Sequence, residues 1–551
     1  MAPPAADPQA AQGLLALAQL AGSRGELAQA LQLLQQARVL APSNPEIVFR
    51  QGLAQRALGD EPAALASFDA ALALAPGNPA VLNARGLALK AQGRNVEALA
   101  AYDQALERVP RFAEALNNRG VVLRLLDRLE EAAASFRAAA EAQPNAAEIH
   151  NNLGWTLHRL DRHDEALAAY AQALRLAPGN PDFAVNHGNA LLEAGRAEDA
   201  LAAFEIARAA RPDDAMLEMN IANAWRELQQ GAQALPHYER ALALEPGNAD
   251  VRFNQALALL AAGDFERGWV AHEARWQAPG LGIDERVYAA PKWLGEESIA
   301  GRTLLLHAEQ GLGDTLWLCR YAPLAAAQGA RVLLLVQKPL VALLREALAG
   351  VQVLGPDDAL PPFDLHCPLM SLPLAFGTTL ASVPASPRYL QPAPQRVARW
   401  RAVLAADRPN IGLAWSGNPA NPADRSRSVR LAALLPALPR GPQYWCLQKD
   451  VPPADRDAFE ADGRIALFEE NGFADTAAQA VLMDRVIAVD TSIAHLCCAV
   501  GCATEILLAF SADLRWLTGR ADSPWYPAAR LWRQPRPGDW GIVLQRLGES
   551  L

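Results

Sequence analysis

The chain has 551 residues, 51% of them apolar and 20% charged, with a formal net charge of −10. That length exceeds one ordinary core, so two or more domains of a soluble, globular composition are expected. The acidic balance and the lack of any Lys/Arg-rich run argue against a nucleic-acid binder, and no window holds the ~18 uninterrupted apolar residues of a membrane span.

Met1 to Ala21 carries no basic residue ahead of its apolar stretch, so no signal peptide is expected there. The next two hundred or so residues are periodic. A proline recurs every 34 residues, at Pro42, Pro76, Pro110, Pro144, Pro178, Pro212 and Pro246. An alanine keeps the same step at Ala30, Ala64, Ala98, Ala132, Ala166, Ala200 and Ala234. Four residues after each of the last six comes an aromatic: Phe68, Tyr102, Phe136, Tyr170, Phe204 and Tyr238. A small residue holds a further register at Gly52, Gly86, Gly120, Gly154, Gly188, Ala222 and Ala256. Small residues let two antiparallel helices approach, the aromatic is expected to fill the gap to the next repeat, and proline closes the second helix. The pattern resembles the tetratricopeptide family of 34-residue helix–turn–helix repeats. Seven repeats span residues 11–248, and a degenerate eighth pair with its connector fills 249–300.

A finer ladder runs through Asn118, Asn152, Asn186, Asn220 and Asn254. It lies on the first helix of each repeat, the helix that lines a solenoid's concave surface. A carboxamide offers an acceptor and two donors, so it can pair with the backbone of an extended peptide of any sequence. Such residues can equally cap helices or pair between repeats. Asparagine is a poor mid-helix residue, so its persistence at one register needs a reason.

From Arg302 onward strands and helices alternate. Strands are predicted at Thr303–His307, Arg331–Val336, Val351–Leu354 and Phe363–Leu365, forming a lobe over 301–395 that ends in the Pro-rich stretch Ser382–Pro394. A second lobe, 396–551, has strands predicted at Asn410–Trp415, Gln443–Gln448, Arg485–Val489 and Thr504–Phe510. The order implies parallel sheets covered by helices. The fold class is therefore an all-α solenoid followed by an α/β domain of two Rossmann-like lobes, in the GT-B arrangement that binds ligand between them.

Three turns carry candidate chemistry. Gly311 and Gly313 give the first strand–helix turn close backbone approach, and Asp314 comes next as either a helix cap or a base for an acceptor hydroxyl. Asp490, Thr491 and Ser492 open a helix whose free N–H groups suit a diphosphate, with His495 one turn on. Ser416 and Asn418 end the first strand of the second lobe ahead of Arg425, Arg427 and Ser428, where an arginine could stabilise a leaving diphosphate. Gln448 and Lys449, at the next strand end, are candidates for base or ribose contact. Asp455-Arg456-Asp457 spells the DxD of metal-dependent transferases but is expected on a solvated helix face. No His/Cys/Asp cluster has metal-ligand spacing. All six cysteines lie beyond residue 318, none in a CxxC pair, and buried thiols in a reducing cytoplasm are expected.

The stretches Gly263-Asp264-Phe265-Glu266-Arg267-Gly268-Trp269, Pro291-Lys292-Trp293 and Gly311-Leu312-Gly313-Asp314 belong to one pattern. It continues with Pro368 to Pro373, Trp415-Ser416-Gly417, Arg427-Ser428, Leu447-Gln448-Lys449, Phe473 to Ala477, Val489-Asp490-Thr491 with His495, and Ser523 to Pro527. Together they resemble the glycosyltransferase module found behind tetratricopeptide arrays in bacteria, itself similar to ADP-heptose heptosyltransferases and, more distantly, to O-GlcNAc transferase. The resemblance implies Asp314 as general base and Arg427 as the residue assisting the departing phosphate. It assigns the donor to Gly311, Gly313, Ser416, Asn418, Gln448, Lys449, Thr476, Asp490, Thr491, Ser492 and His495. It implies a nucleotide-sugar substrate with no metal and no resident cofactor. The asparagine ladder would grip a protein acceptor, with flagellin glycosyltransferases the nearest precedent of this organisation. Cys497-Cys498 and Ser492 depart from the pattern beside the donor turn, so donor identity does not carry across. Two alternatives remain: a transferase acting on glycan or lipopolysaccharide with the repeats as a docking arm, and a scaffold that has lost catalysis.

Overall fold

The computed structural model describes residues 7–283, 285–404, 407–418, 424–468 and 472–551; the side chain of Arg425 lies outside the described residues. The chain divides into two compact units, Met1–Asp213 and Asp214–Leu551.

The first unit is a stack of antiparallel helix pairs, from Pro8–Ser23 with Leu27–Leu40 to Pro181–Glu193 with Ala197–Ala210. Asn44, Asn78 and Asn180 open their helices by accepting from the backbone N–H groups two and three residues on, with proline at the first helical position. The aromatic of a repeat is part of an apolar cluster shared by several repeats. It seats on the glycine of its own repeat: a Cβ on Gly52 would lie 2.6 Å from Phe68, and one on Gly120 2.7 Å from Phe136. The turn between the paired helices needs a left-handed residue. Gly25, Gly59, Gly93 and Gly195 supply it, but Asp127 (φ 57°) and Asp161 (φ 56°) occupy the same register at a conformational cost.

The second unit begins with the seventh pair, Ala215–Glu227 and Gly231–Leu244, and the eighth, Ala249–Ala262 and Phe265–His272. These helices share a core with the α/β part. Phe265 stacks on Trp525 with centroids 5.8 Å apart, Trp269 meets Trp317 at 6.1 Å, and Thr518 N–H donates to Ala261 O at 2.9 Å. Gln229 also donates its amide to Phe510 O.

The first sheet consists of β1 (Thr303–His307), β2 (Arg331–Leu335), β3 (Val351–Leu354) and β4 (Leu365–Pro368). Its order is β3-β2-β1-β4, all parallel. The second comprises β5 (Asn410–Ala414), β6 (Gln443–Cys446), β7 (Ile465–Leu467), β8 (Arg485–Val489), β9 (Thr504–Leu508) and β10 (Ala529–Arg533). Its order is β10-β9-β8-β5-β6-β7, again parallel throughout. Near-continuous apolar runs such as Thr303–His307 and Arg485–Val489 suit strands covered on both faces. The fold is thus a helical repeat array followed by two parallel α/β lobes. The fourth strand starts at Leu365, later than the pattern at Phe363 implied, and the Asp364 carboxylate just before it accepts from Thr303 N–H at 2.7 Å. The edge strands β7 and β10 were not legible: one is three residues long, and the other carries Arg530 and Arg533 among its five residues.

In both sheets the chain reverses its order of addition at one gap, β1/β4 in the first and β5/β8 in the second. Ligands of such sheets bind outside the carboxyl ends of the strands at that gap. The turns after β1, β5 and β8 are the three that carried candidate chemistry.

Candidate functional site

The turn after β1 is held from both sides. Glu309, at its start, accepts from Arg275 Nη2 through both oxygens (3.1 and 3.2 Å) and from Met370 N–H at 3.1 Å. Arg275 is fully buried, and it also reaches Glu273 at 2.6 Å and Ser371 Oγ at 2.7 Å. The residue therefore locks the end of the eighth helix pair to the turn that presents Asp314. Helix Leu312–Leu318 comes next, and Asp314 Oδ2 accepts from Gly311 N–H at 2.9 Å. Neither glycine in this turn has a positive φ. Gly313 packs closely on the Asp490–His495 turn, and a Cβ on this glycine would lie 3.0 Å from His495 Cδ2.

Arg515 joins the two lobes. Its Nη2 donates to Asp314 Oδ1 at 2.7 Å, its Nε to Asp513 Oδ1 at 2.7 Å, and its Nη1 to His495 Nε2 at 3.1 Å. The guanidinium also lies 4.9 Å from the Trp317 ring centroid. Burial alone would weaken this charge, but Asp513, Asp314 and Asp490 outweigh it and keep the guanidinium firmly protonated. His495 is buried, which pushes its pKa down and keeps it neutral. With Nε2 accepting from Arg515, Nδ1–H donates to Tyr526 Oη at 2.8 Å. The imidazole stacks on Trp516 at 5.2 Å and 15°. Asp490 Oδ1 stands 3.6 Å from His495 Nε2. Burial would raise the Asp490 carboxyl, yet the Arg515 charge helps to hold it below the ordinary carboxylate range.

Helix Ser492–Ala499 starts at an extended Thr491 whose hydroxyl donates to Val489 O at 3.3 Å. Its first N–H groups remain available for an anion. Next to it lies a cavity of about 680 Å³, lined by Gln229 and Ala261 from the helix pairs and by Arg427, Asp490, Asp513 and Arg533 from the second lobe. Arg427 bonds Asp424 Oδ1 at 3.2 Å. Arg533 donates to Leu517 O at 2.6 Å but has no carboxylate partner among the described residues, and its Nε is buried without an acceptor. An unpaired guanidinium facing a cavity is the electrostatic feature an anionic ligand would complete. Leu517 is itself strained, a non-glycine residue at φ 52° and ψ 173° closing the 3₁₀ turn that carries Arg515 and Trp516.

Other candidate residues are placed differently. Gln448 is buried, its Oε1 accepting from Trp415 N–H (2.9 Å) and Ser416 N–H (3.2 Å) while its amide donates to Ser416 Oγ and Asp450 O. It braces the turn after β5 from behind. Lys449 and Asn418 are exposed. Thr476 is buried, and its hydroxyl donates to Gly472 O at 3.1 Å. Its neighbour Asp475 accepts from both Arg396 and Trp400 Nε1. Asp455 does not lie on a solvated face as expected. It is 3% exposed and anchors Trp415 Nε1, Arg430 and Leu431 N–H, while Asp457 is exposed. All six thiols are buried and free.

In the first unit the ladder pairs across repeats: Asn118 Nδ2 donates to Asn83 Oδ1 (3.0 Å), Asn152 to Asn117 (3.2 Å) and Asn186 to Asn151 (3.0 Å). Each bridge uses one N–H, leaving a second donor on each of these half-buried side chains. In the second unit Asn220 is half-buried, and Asn254 is engaged by Arg226 Nη1 at 2.8 Å and by Asp250 O at 2.9 Å. The Asn117-Asn118 and Asn151-Asn152 doublets were the overlooked sign of this bridging. Arg515, Trp516 and Arg533 were also missed, since they lie in an aperiodic stretch and on an edge strand.

Residues 15–79, 83–147 and 128–181 match one tetratricopeptide-repeat family, and residues 158–279 match a second. The first half of the chain therefore carries tetratricopeptide repeats, a scaffold that supports protein partners. The curated protein FlbA of Caulobacter vibrioides is 28% identical over 336 residues, 55% of this chain and 54% of that one, so the match spans about half of the relative's length. Among solved structures, a tetratricopeptide repeat protein from Parabacteroides merdae is 19% identical, with a TM-score of 0.34 over 46% of this chain and 99% of that one. Pseudomonas aeruginosa pilF is 20% identical, with a TM-score of 0.35 over 38% of this chain and 96% of that one. No described helix is long and apolar enough to cross a membrane.

Proposed function

We propose that the chain is a glycosyltransferase that moves a sugar from a nucleotide-sugar donor to a Ser or Thr hydroxyl of a polypeptide, with flagellin as the acceptor to try first. The observation that carries this reading is the meeting of Asp314 with the Asp490–His495 turn through Arg515, across the switch points of two facing parallel sheets.

In this reading the donor diphosphate lies at the opening of helix Ser492–Ala499, with Arg427 and Arg533 from the cavity wall neutralising it. Asp314 has one oxygen bonded to Gly311 and the other to Arg515, and each keeps a lone pair for an acceptor hydroxyl. As the hydroxyl oxygen bonds to the anomeric carbon, its proton passes to Asp314. The anomeric C–O bond breaks, and the electron pair leaves on the nucleoside diphosphate. Gly311, Gly313, Ser416 and Gln448 shape the turns, and Thr491, Ser492 and His495 orient the donor. In the first unit Asn118, Asn152 and Asn186 contact the acceptor backbone with the N–H left over from their bridges.

The test is transfer of sugar from purified nucleotide-sugars to candidate acceptor proteins, read as an increase in intact mass. Wild type gives the increase, and Asp314→Asn lowers the rate ~10²–10⁴-fold while nucleotide still raises the melting temperature. Transfer to glycan alone, or full activity in Asp314→Asn, overturns the proposal.

A further inference from the structure

Three side chains at the junction of the fifth and sixth repeats converge, two of them histidines that stand outside the repeat pattern. His158 lies in helix Ala147–Arg159, His163 opens helix His163–Leu176, and Glu193 ends helix Pro181–Glu193. One ligand-type atom from each lies within 4.8 Å of those of the other two. His158 Nε2 meets Glu193 Oε2 at 2.6 Å, and the two imidazoles stand 5.6 Å apart, edge to face. Asp161, in the turn between the histidines, places Oδ1 3.7 Å from His163 Nε2 and holds φ 56° where four other repeats use glycine.

Repeat packing does not call for this set. One repeat away, the position of His158 is Arg124 or Leu192, that of His163 is Leu129 or Ala197, and that of Glu193 is Arg159 or Glu227, so it is the two histidines that the repeats do not share. The His158–Glu193 contact by itself would be an inter-repeat ion pair, but it leaves the second imidazole at the same point unexplained. We propose that His158, His163 and Glu193 form a zinc site, with Asp161 or water as fourth ligand. Two imidazoles and a carboxylate are a zinc donor set, and tetrahedral bonds of about 2.0–2.2 Å are reached by modest rotation of these side chains. The ion would fasten the turn of one repeat to the end of the next repeat's first helix. This site is independent of the transferase chemistry.

The test is calorimetric titration of the metal-stripped full-length chain with zinc chloride, paired with cobalt(II) absorption spectra. One zinc per chain, tetrahedral cobalt bands and a higher melting temperature are expected. His163→Ala and His158→Ala should each weaken binding at least ~10-fold, as loss of one ligand in three implies, while His150→Ala leaves it unchanged. These side chains are partly exposed, so circular dichroism of the variants should match wild type. No stoichiometric zinc, or binding unaltered in His163→Ala, overturns the proposal.

Discussion

Arg515→Met tests the junction of the two lobes most directly. The substitution keeps a long apolar side chain against Trp317 but deletes the cation that bonds Asp314 at 2.7 Å, Asp513 at 2.7 Å and His495 at 3.1 Å. A charge-assisted hydrogen bond of this kind contributes about 1.5–3 kcal/mol. Removing one partner of a buried pair costs about 3–5 kcal/mol, because the other charge stays behind. Arg515 and Asp314 are 12% and 14% exposed, and Asp490 loses the same cation, so about 3 kcal/mol is expected. Urea unfolding of the full chain followed by tryptophan fluorescence gives the cost for the second unit. A double-mutant cycle with Asp314→Asn isolates the pair and should return at least about 1.5 kcal/mol of coupling. Coupling below about 0.5 kcal/mol would show that the two lobes are not energetically joined here, and the reading of a shared site would fall with it.

Arg275→Met leaves Glu309 buried without its cation and should destabilise the second unit by about 3–5 kcal/mol, seen as a lower urea midpoint; an unchanged midpoint refutes the network's role. His307 has its pKa pushed to about 3, by burial first and then by His366 and nearby cations. The unfolded chain takes up this proton below about pH 6.5 while the folded chain does not, so stability is full above that value and falls as pH drops toward 3. His307→Gln should remove about 2 kcal/mol of the loss between about pH 6.5 and 5, measured as the difference between the two pH profiles. Asp127→Gly relieves a left-handed non-glycine residue and should stabilise the first unit by about 0.5–1 kcal/mol, a gain that thermal melts would show. Arg533→Met should weaken nucleoside diphosphate binding about tenfold, the effect of about 1.4 kcal/mol. Unchanged affinity in calorimetry would remove Arg533 from the anion site.

The repeat array was legible in the sequence because each 34-residue unit repeats one local packing problem, a helix pair closed on a small residue. The sheets were legible because strands covered on both faces must be apolar, as Thr303–His307 and Arg485–Val489 are. The turns holding Asp314 and Asp490 followed from those elements. Their meeting did not, because it depends on Arg515, which comes 201 residues after Asp314 in a segment with no periodicity. The same limit hid Arg275 behind Glu309, the bridging partners of Asn118, Asn152 and Asn186, and the burial of Asp455. Periodicity reports which face of an element is apolar; which polar groups meet is set by how separate elements pack, and only the folded chain decides that.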